Sequence, residues 1–185
     1  MNEKAAFRKR MRAIRRSLSD TERTEQSLRA CKQAFLLPQV QNARVIMAYA
    51  PMQEELNVWP LLHALTQADK QIVLPVVEKK GMHARKLTRQ EHLQAGAYGI
   101  LEPTEEESIA PEEIEVILVP GVAFSKTGER MGMGAGYYDR FLPQTRAFTV
   151  GMCLSELLCD AIPTDIYDCR MDAVCTPSGV FYRVD

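Results

Sequence analysis

Four short apolar runs, separated by segments with helical patterns, constrain the fold of this chain more than any other feature. The runs are residues 44–50 (RVIMAYA), 71–77 (QIVLPVV), 115–120 (EVILVP) and 147–152 (AFTVGM). Short apolar runs of this kind are typical of strands buried on both faces, and their alternation with helices favours parallel pairing. The sequence therefore predicts an α/β fold, with residues 1–185 forming a single three-layer α/β/α domain around a mostly parallel central sheet.

The helices are predicted from periodic apolar residues and capping signals. An apolar stripe at helical spacing predicts a helix over residues 3–18. Ser19 followed by Glu22 is a capping box, which starts a second helix that ends near Leu36. Shorter helices are expected over residues 57–69, 88–94 and 136–142, and further strands over 82–87, 172–175 and 179–183.

Composition excludes several classes of protein. Hydrophobic residues make up 46% and charged residues 25% of the chain, which excludes a disordered, collagen-like or coiled-coil protein. No apolar run approaches the roughly 18 residues of a membrane span, and the N-terminus has no apolar signal segment, so we expect a cytoplasmic protein. The five cysteines include no C-x-x-C pair, which favours reduced thiols over a disulfide framework or a zinc site.

Basic side chains are concentrated at the N-terminus. The first 16 residues carry seven Lys or Arg and one Glu, a net charge of +6, and the rest of the chain carries −7. Such a segment can meet phosphate groups, an anionic partner or the protein's own acidic surface. Lys4 and Arg8 stand one helical turn apart and can jointly bind a phosphate chain. Arg12, Arg15 and Arg16 could instead cover acidic surface. A mitochondrial transit peptide is less favoured, because the segment is poor in serine.

A cluster of glycines after the third apolar run gives the strongest chemical signal. Gly128, Gly132, Gly134 and Gly136 lie within nine positions. Glycines at this spacing leave backbone N–H groups free to point at an anion, and the start of the following helix adds a favourable partial charge. Arg130 supplies a cationic fork suited to phosphate. The pattern matches neither the P-loop nor the dinucleotide fingerprint, and a mobile surface loop is the alternative interpretation.

Aromatic and acidic residues extend this candidate site. Tyr137 and Tyr138 could stack on a heterocycle or pack in the core. Asp139 is placed to hold a metal ion or to cap the helix. In a loop after the first apolar run, Glu55 could accept hydrogen bonds from a substrate ring or simply be solvated. Asp165 and Asp168, in a later loop, could hold a hard cation such as magnesium, or they could cap a helix or form a turn.

The glycine-rich stretch closely resembles the signature of the 5-formyltetrahydrofolate cyclo-ligase (5,10-methenyltetrahydrofolate synthetase) family. The matching segments are residues 119–124 (VPGVAF) and 128–142 (GERMGMGAGYYDRFL). Weaker matches in the same order extend over nearly the whole chain: Lys4 with Arg8, Met52 with Glu55, residues 99–103 (GILEP) and residues 162–168. The resemblance implies an enzyme that uses Mg-ATP to convert 5-formyltetrahydrofolate into 5,10-methenyltetrahydrofolate, ADP and phosphate.

The resemblance also implies roles for individual residues. ATP would be bound by Lys4, Arg8, Arg130, Met131, Gly132, Met133, Gly134, Ala135, Gly136, Tyr137 and Tyr138. The reduced folate would be bound by Ala50, Glu55, Met133, Gly134, Ala135, Gly136 and Tyr137. Arg130 and Tyr137 would be catalytic, and magnesium would be held by Asp139 and Asp168. The expected partner is this small molecule alone, with no nucleic acid or membrane, and the expected state is a monomer.

Three departures from the family pattern keep other functions open. Ser125 stands where the family usually has Asp or Glu, Val58 where it has Thr, and Leu157 where Gln is common. They motivate a second hypothesis, a relative that keeps the nucleotide site but acts on another N-formyl or amide substrate. A third hypothesis is an RNA-binding module built on the basic helix. It is less favoured, because the aromatic residues lie far along the chain from the basic segment.

Overall fold

The computed structural model describes residues 3–78 and 81–184, and over these residues the chain forms five α-helices and thirteen strands. The helices are α1 (Glu3–Ser17), α2 (Asp20–Phe35), α3 (Pro38–Asn42), α4 (Trp59–Gln67) and α5 (Tyr137–Phe141). The strands are β1 (Val45–Met47), β2 (Gln71–Glu78), β3 (Gly81–Leu87), β4 (Leu93–Ala95), β5 (Leu101–Pro103), β6 (Ser108–Ile109), β7 (Val116–Val119), β8 (Ala123–Ser125), β9 (Arg130–Met131), β10 (Phe148–Met152), β11 (Leu158–Cys159), β12 (Ala173–Thr176) and β13 (Gly179–Tyr182).

Eight strands form the main sheet, in the order β13-β12-β10-β7-β1-β2-β3-β6 among the described residues. The five inner strands, from β12 to β2, pair in parallel, and the outer strands β13, β3 and β6 are antiparallel. In the centre, Met47 of β1 stands opposite Val73 on one side and Ile117 on the other. The prediction of an α/β fold with a mostly parallel central sheet is confirmed.

The core lies on both faces of the inner strands. Every residue of β7 and of β12 is buried, which explains why these strands are apolar at consecutive positions rather than at alternate ones. Helices α2 and α4 pack against each other, and they also contact β12 and β2 respectively. The ring of Phe124 in β8 occupies the space where a Cβ on Gly151 of β10 would stand.

The corner between the first two helices follows the predicted capping box. The Ser19 hydroxyl accepts a hydrogen bond from the Glu22 backbone N–H at 3.2 Å, and the Glu22 carboxylate accepts one from the Ser19 N–H at 2.9 Å. Arg23 donates to the carbonyl of Leu18 at 2.9 Å and so satisfies a carbonyl at the end of α1. This corner fixes the direction of α1, which brings its basic residues to the functional site.

Two helix predictions need correction. The helix expected over 57–69 spans only Trp59–Gln67, because the Asn57 side chain accepts a hydrogen bond from the Trp59 N–H at 3.0 Å and marks its start. The helix expected over 88–94 was wrong: a single 3-10 turn at Gln90–His92 leads into β4, which pairs with β5. This hairpin turns at Tyr98, whose φ of 59° is left-handed.

Two further expectations concern the class of protein. Within residues 3–78 and 81–184, no helix combines the length and the apolar character that a bilayer crossing requires. All five cysteines belong to the described part of the chain, and all are free thiols. Cys31, Cys153 and Cys175 are buried, so they pack as small apolar side chains.

Candidate active site

The parallel strands β1, β2 and β7 lead to one edge of the sheet, and residues at or just beyond their carboxyl ends line a cavity with about 770 Å³ of empty space. We call it the apolar cavity. Its lining residues are Tyr49, Ala50, Met52, Glu55, Pro75, Val77, Met82, Ile100, Pro120, Gly121, Arg130, Gly132, Met133, Ala135, Gly136, Tyr137, Tyr138 and Asp139.

A second, larger cavity of about 1430 Å³ adjoins the first, and we call it the charged cavity. It is lined by Lys4, Ala5, Arg8, Arg130, Met131, Gly132, Gly134, Gly136, Asp139, Arg140, Pro143, Asp165, Ile166, Tyr167, Asp168 and Cys169. Arg130, Gly132, Gly136 and Asp139 line both cavities. The glycine-rich segment is therefore the wall between an apolar cleft and a charged one.

This wall begins with a short hairpin and ends in a helix. Strands β8 and β9 pair in antiparallel fashion, and Val122 N–H donates to the Met131 carbonyl at 2.7 Å. The hairpin turns at Gly128, whose φ of 93° and close contact with the Met171 carbonyl leave no room for a Cβ. Gly136, at φ 69°, then directs the chain into α5.

Arg130 is fixed where the two cavities meet. Its Nη2 donates to Asp139 Oδ1 at 2.9 Å, its Nη1 donates to the Pro120 carbonyl at 3.4 Å, and its guanidinium carbon lies 5.4 Å from the centre of the Tyr138 ring. The side chain is only 4% exposed, and within the described residues its Nε has no hydrogen-bond partner. A Cβ on Gly132 would stand 2.9 Å from Nη1, so this glycine makes room for the guanidinium.

Helix α1 brings two more cations to the charged cavity. Lys4 Nζ forms an ion pair with Asp165 at 2.8 Å and another with Asp168. Burial lowers the pKa of Lys4, but the hydrogen bonds to these two carboxylates outweigh it, and the pKa is raised. Arg8 Nε donates to the Gly132 carbonyl at 2.8 Å, so α1 is bound directly to the glycine-rich wall.

The two aspartates predicted to hold magnesium both line the charged cavity. Asp139 Oδ1 accepts from Arg130 and also from the Cys169 N–H at 3.3 Å, which brings it next to the segment that carries Asp168. Over residues 3–78 and 81–184, no group of three or more potential metal-ligating side chains occurs. Magnesium needs only one or two protein carboxylates when phosphates and water complete its shell. Asp139 and Asp168 are carboxylates of this kind, and in this structure they pair with Arg130 and Lys4.

Glu55 provides a buried carboxylate on the wall of the apolar cavity. Its Oε2 accepts a hydrogen bond from the Met52 N–H at 3.0 Å, and its Oε1 lies 3.9 Å from Nη1 of Arg15. Burial raises the pKa of Glu55, while the Met52 N–H and the Arg15 charge lower it in part. Glu55 is thus a buried hydrogen-bond acceptor in a mostly apolar part of the cavity wall.

Two neighbouring tyrosines occupy different environments. The Tyr137 hydroxyl lies 3.3 Å from that of Tyr98, and the hydrogen bond between them raises the pKa of Tyr137. The guanidinium of Arg140 lies 5.2 Å from the Tyr137 ring centre. Tyr138 is deeper: burial raises its pKa, and its hydroxyl has no hydrogen-bond partner among the described residues.

The predicted site residues divide between the two cavities. Of those predicted to bind ATP, the charged cavity is lined by Lys4, Arg8, Arg130, Met131, Gly132, Gly134 and Gly136. The other four line the apolar cavity instead: Met133, Ala135, Tyr137 and Tyr138. The residues predicted to bind the folate all line the apolar cavity except Gly134.

Several lining residues were not predicted from the sequence. Ile100 reaches the apolar cavity from the β4–β5 hairpin, and it belongs to the matching segment GILEP, to which no site role was attached. Arg140 lines the charged cavity, next to the predicted site residue Asp139. Proximity to the predicted motifs was the only signal for them in the sequence.

The three departures from the family pattern lie outside both cavities. Val58 and Leu157 are buried in the core. Ser125 is fully buried at the end of β8, where its hydroxyl donates to the Glu129 carboxylate and accepts from the Glu129 N–H at 3.1 Å. Neither cavity is lined by any of the three.

An α/β fold with adjoining charged and apolar clefts at the carboxyl ends of its parallel strands is typical of an enzyme that acts on small molecules. Residues 1–177 match the model of the 5-formyltetrahydrofolate cyclo-ligase family. The chain belongs to this family of enzymes, as the sequence resemblance predicted.

Individual relatives agree with this assignment. The chain is similar to a probable 5-formyltetrahydrofolate cyclo-ligase from Schizosaccharomyces pombe, with 31% identity over 90% of this chain and 91% of the relative. It is 28% identical to the 5-formyltetrahydrofolate cyclo-ligase from Mus musculus, with 92% of each chain covered. A solved structure, the 5,10-methenyltetrahydrofolate synthetase from Aquifex aeolicus, is 32% identical and superposes with a TM-score of 0.89 over 98% of this chain and 93% of that one.

Proposed function

We propose that the chain converts 5-formyltetrahydrofolate into 5,10-methenyltetrahydrofolate, with Mg-ATP consumed and ADP and phosphate released. One observation carries the proposal: the apolar and charged cavities share a wall, and the buried Arg130 lies in it. A phosphoryl group held in one cavity can therefore meet a small molecule held in the other. Family membership supports the choice of substrate.

The charged cavity is suited to the phosphates of ATP. Lys4, Arg8 and Arg130 supply positive charge from two separate parts of the chain. Gly132 and Gly134 have no side chains to obstruct an anion, and a Cβ on Gly134 would lie 3.4 Å from the guanidinium carbon of Arg8. Phosphoryl transfer requires mainly such positioning and positive charge. Asp139 and Asp168 would hold the magnesium ion, which supplies further neutralisation of phosphate charge when bound.

The apolar cavity is suited to a reduced folate. Its walls are mostly apolar, as expected for a site that accepts a flat heterocycle. Glu55 provides a buried acceptor for the N–H groups of a pterin ring, and Ala50 lines the cavity beside it. Met133, Ala135 and Tyr137 would contact the folate from the glycine-rich wall, next to the phosphates.

The proposed chemistry needs positioning rather than a protein nucleophile. The formyl oxygen attacks the γ-phosphorus of ATP, and ADP leaves. The lone pair of N10 then attacks the formyl carbon, and N10 loses its proton to phosphate or water. The carbon–oxygen bond breaks, and the oxygen departs with the phosphate. Arg130 stabilises negative charge during transfer, and Tyr137 is the aromatic group beside the reacting atoms. No serine–histidine or cysteine–histidine pair is required.

An absorbance assay tests this proposal. Purified protein is mixed with 5-formyltetrahydrofolate and Mg-ATP, and the appearance of methenyltetrahydrofolate is followed. We expect a rise that requires both ATP and magnesium. No rise, with ATP binding still measured by calorimetry, would contradict the folate half of the proposal and favour a different N-formyl or amide substrate.

The two other hypotheses have less support than the first. Ser125, Val58 and Leu157 suggested another substrate, but none of them lines either cavity. The basic helix suggested RNA, but Arg8, Arg15 and Arg16 interact with other parts of this chain. The single-domain organisation, the monomeric state and the cytoplasmic location stay predictions from the sequence.

A further inference from the structure

Arg15 is the most deeply buried cation of helix α1, although it lies in a segment rich in exposed basic residues. Its side chain is 2% exposed. Within the described residues, its Nε and Nη1 atoms have no hydrogen-bond partner. Burial of a guanidinium that is not fully paired is costly, so the fold retains this charge at the expense of stability. Proteins retain such a costly buried charge mainly where it serves a functional site.

Two carboxylates lie close to Arg15. Nη2 is 3.5 Å from Glu54 Oε2, and Nη1 is 3.9 Å from Glu55 Oε1. Glu54 has a second partner, because Arg16 Nε donates to its other oxygen at 3.1 Å, and Glu54 is partly exposed. Glu55 is buried and depends more on Arg15, since charges interact more strongly where water is excluded.

Groups from several elements surround Glu55. Arg15 comes from α1, Glu54 from the same loop as Glu55, Tyr49 from the segment after β1 and Tyr138 from α5. The burial of the site and the negative charge of Glu54 both raise the pKa of Glu55. The Met52 N–H and Arg15 lower it, and of these two only Arg15 carries a charge.

We propose that Arg15 is a positioning residue for the substrate, which keeps the Glu55 carboxylate ionised and oriented as a hydrogen-bond acceptor in the apolar cavity. This inference rests on the proposed function of that cavity. Arg15 lies on the same helix as Lys4 and Arg8, which line the charged cavity. Helix α1 thus supports the phosphate side with its first turns and the pterin side with its last.

A titration of Glu55 by carboxyl ¹³C NMR tests the inference without any need for turnover. In Arg15→Met, a neutral side chain of similar length, we expect the pKa of Glu55 to rise, because the positive charge that lowers it is removed, and the ratio of neutral to ionised carboxyl at a given pH to increase. Arg16→Met is the matched control, because Arg16 is 58% exposed and pairs with Glu54. It should leave the titration of Glu55 unchanged.

The kinetic readout separates positioning from a purely structural role. Arg15→Met should move the rise in KM for 5-formyltetrahydrofolate at acidic pH to a higher pH, because a larger fraction of Glu55 is neutral at each pH, and it should leave KM for ATP unchanged. When Glu55 is already replaced by Gln, Arg15→Met should not alter the pH dependence of KM for 5-formyltetrahydrofolate. An unchanged Glu55 titration in Arg15→Met would overturn the inference, even in an active enzyme.

A second variant covers the case in which Arg15→Met does not fold. Arg15→Lys keeps the charge, so it should keep the folate KM at neutral pH within a few-fold of the parent. A loss as large as that of Glu55→Gln would contradict the role of the charge. If the protein proves inactive on the folate but Glu55 still titrates as expected, the proposed function fails while the pairing of Arg15 with Glu55 stands.

Discussion

Arg130 is held on three sides before any ligand arrives. Asp139, the carbonyl of Pro120 and the ring of Tyr138 fix its guanidinium in the wall between the cavities. A side chain restrained in this way loses little freedom when it meets a phosphate, so its interaction is available in the transition state.

Arg130→Lys should therefore lower kcat/KM for ATP by about tenfold or more, because a charge-assisted hydrogen bond contributes roughly 1.5–3 kcal/mol and lysine does not reproduce the planar fork. Steady-state kinetics at varied ATP would measure the effect. Arg146→Lys is the control, since Arg146 is exposed and lines neither cavity. Unchanged ATP kinetics in Arg130→Lys would remove the proposed phosphate contact.

The sequence identified Arg130 through its place in the glycine-rich motif but could not identify the role of Arg15. A basic residue among six others in one helix is normally part of a solvated face. Only the packing of α1 against the loop at Glu54 and Glu55 shows which arginine is buried. Tyr98 was missed for a similar reason: a hairpin brings it to Tyr137, from which it is 39 positions distant in sequence.

The glycine-rich wall combines unusual backbone conformation with close contacts. Gly134 has a φ of 109°, and it faces the guanidinium of Arg8. Gly179, in the β12–β13 hairpin, has a φ of 152°, and a Cβ added there would meet no other atom within 4 Å among the described residues. Both positions favour glycine, but only the first one lies in a cavity wall.

Substitution of these two glycines gives a matched test of whether the glycine-rich wall contacts the nucleotide. Gly134→Ala should raise KM for ATP several-fold, because the methyl group strains the loop and approaches Arg8. Gly179→Ala introduces backbone strain away from the site, so it should lower thermal stability without a change in KM. Thermal unfolding and ATP kinetics on both variants would decide. Equal KM values in the two variants would contradict a nucleotide contact at Gly134.

Apolar inner strands and capped helices could be predicted from the sequence. Short strands that form only by pairing with a partner could not. The inner strands and the capping box at Ser19 follow directly from local pattern. Strands β4, β5, β8 and β9 have two or three residues each, which is too few to establish a period. Their existence depends on pairing with partners elsewhere in the chain, and so the hairpins that complete the site were absent from the prediction.

Part of the charge imbalance of the chain is balanced by ion pairs within the molecule. The basic helix α1 meets acidic residues from the C-terminal part at Lys4 and from the loop after β1 at Arg15 and Arg16. The sequence indicated this possibility together with binding to phosphate or to RNA, and only the three-dimensional contacts show which basic residues pair with acidic ones. The cysteines are distributed from the core to the charged cavity, so their reactivity can be compared between these two environments.

Cysteine alkylation should reveal where the nucleotide binds. Burial raises the pKa of Cys31 to about 11 and that of Cys175 to about 12, so both should stay unreactive until the protein unfolds. Cys169 is half-buried and lines the charged cavity, so Mg-ATP should slow its alkylation. Cys159 has similar exposure and lies outside both cavities, and its rate should not change. Mass spectrometry of each peptide gives the rates; equal protection of both thiols would contradict the assigned cavity.

The fate of the formyl oxygen tests the central claim most directly. 5-Formyltetrahydrofolate labelled with ¹⁸O in the formyl group is incubated with the protein and Mg-ATP, and the released phosphate is examined by mass spectrometry. If the formyl oxygen accepts the phosphoryl group across the shared wall, the label must appear in the phosphate in proportion to the methenyltetrahydrofolate formed. Unlabelled phosphate in the presence of product would contradict this account and would mean that ATP is hydrolysed separately from ring closure.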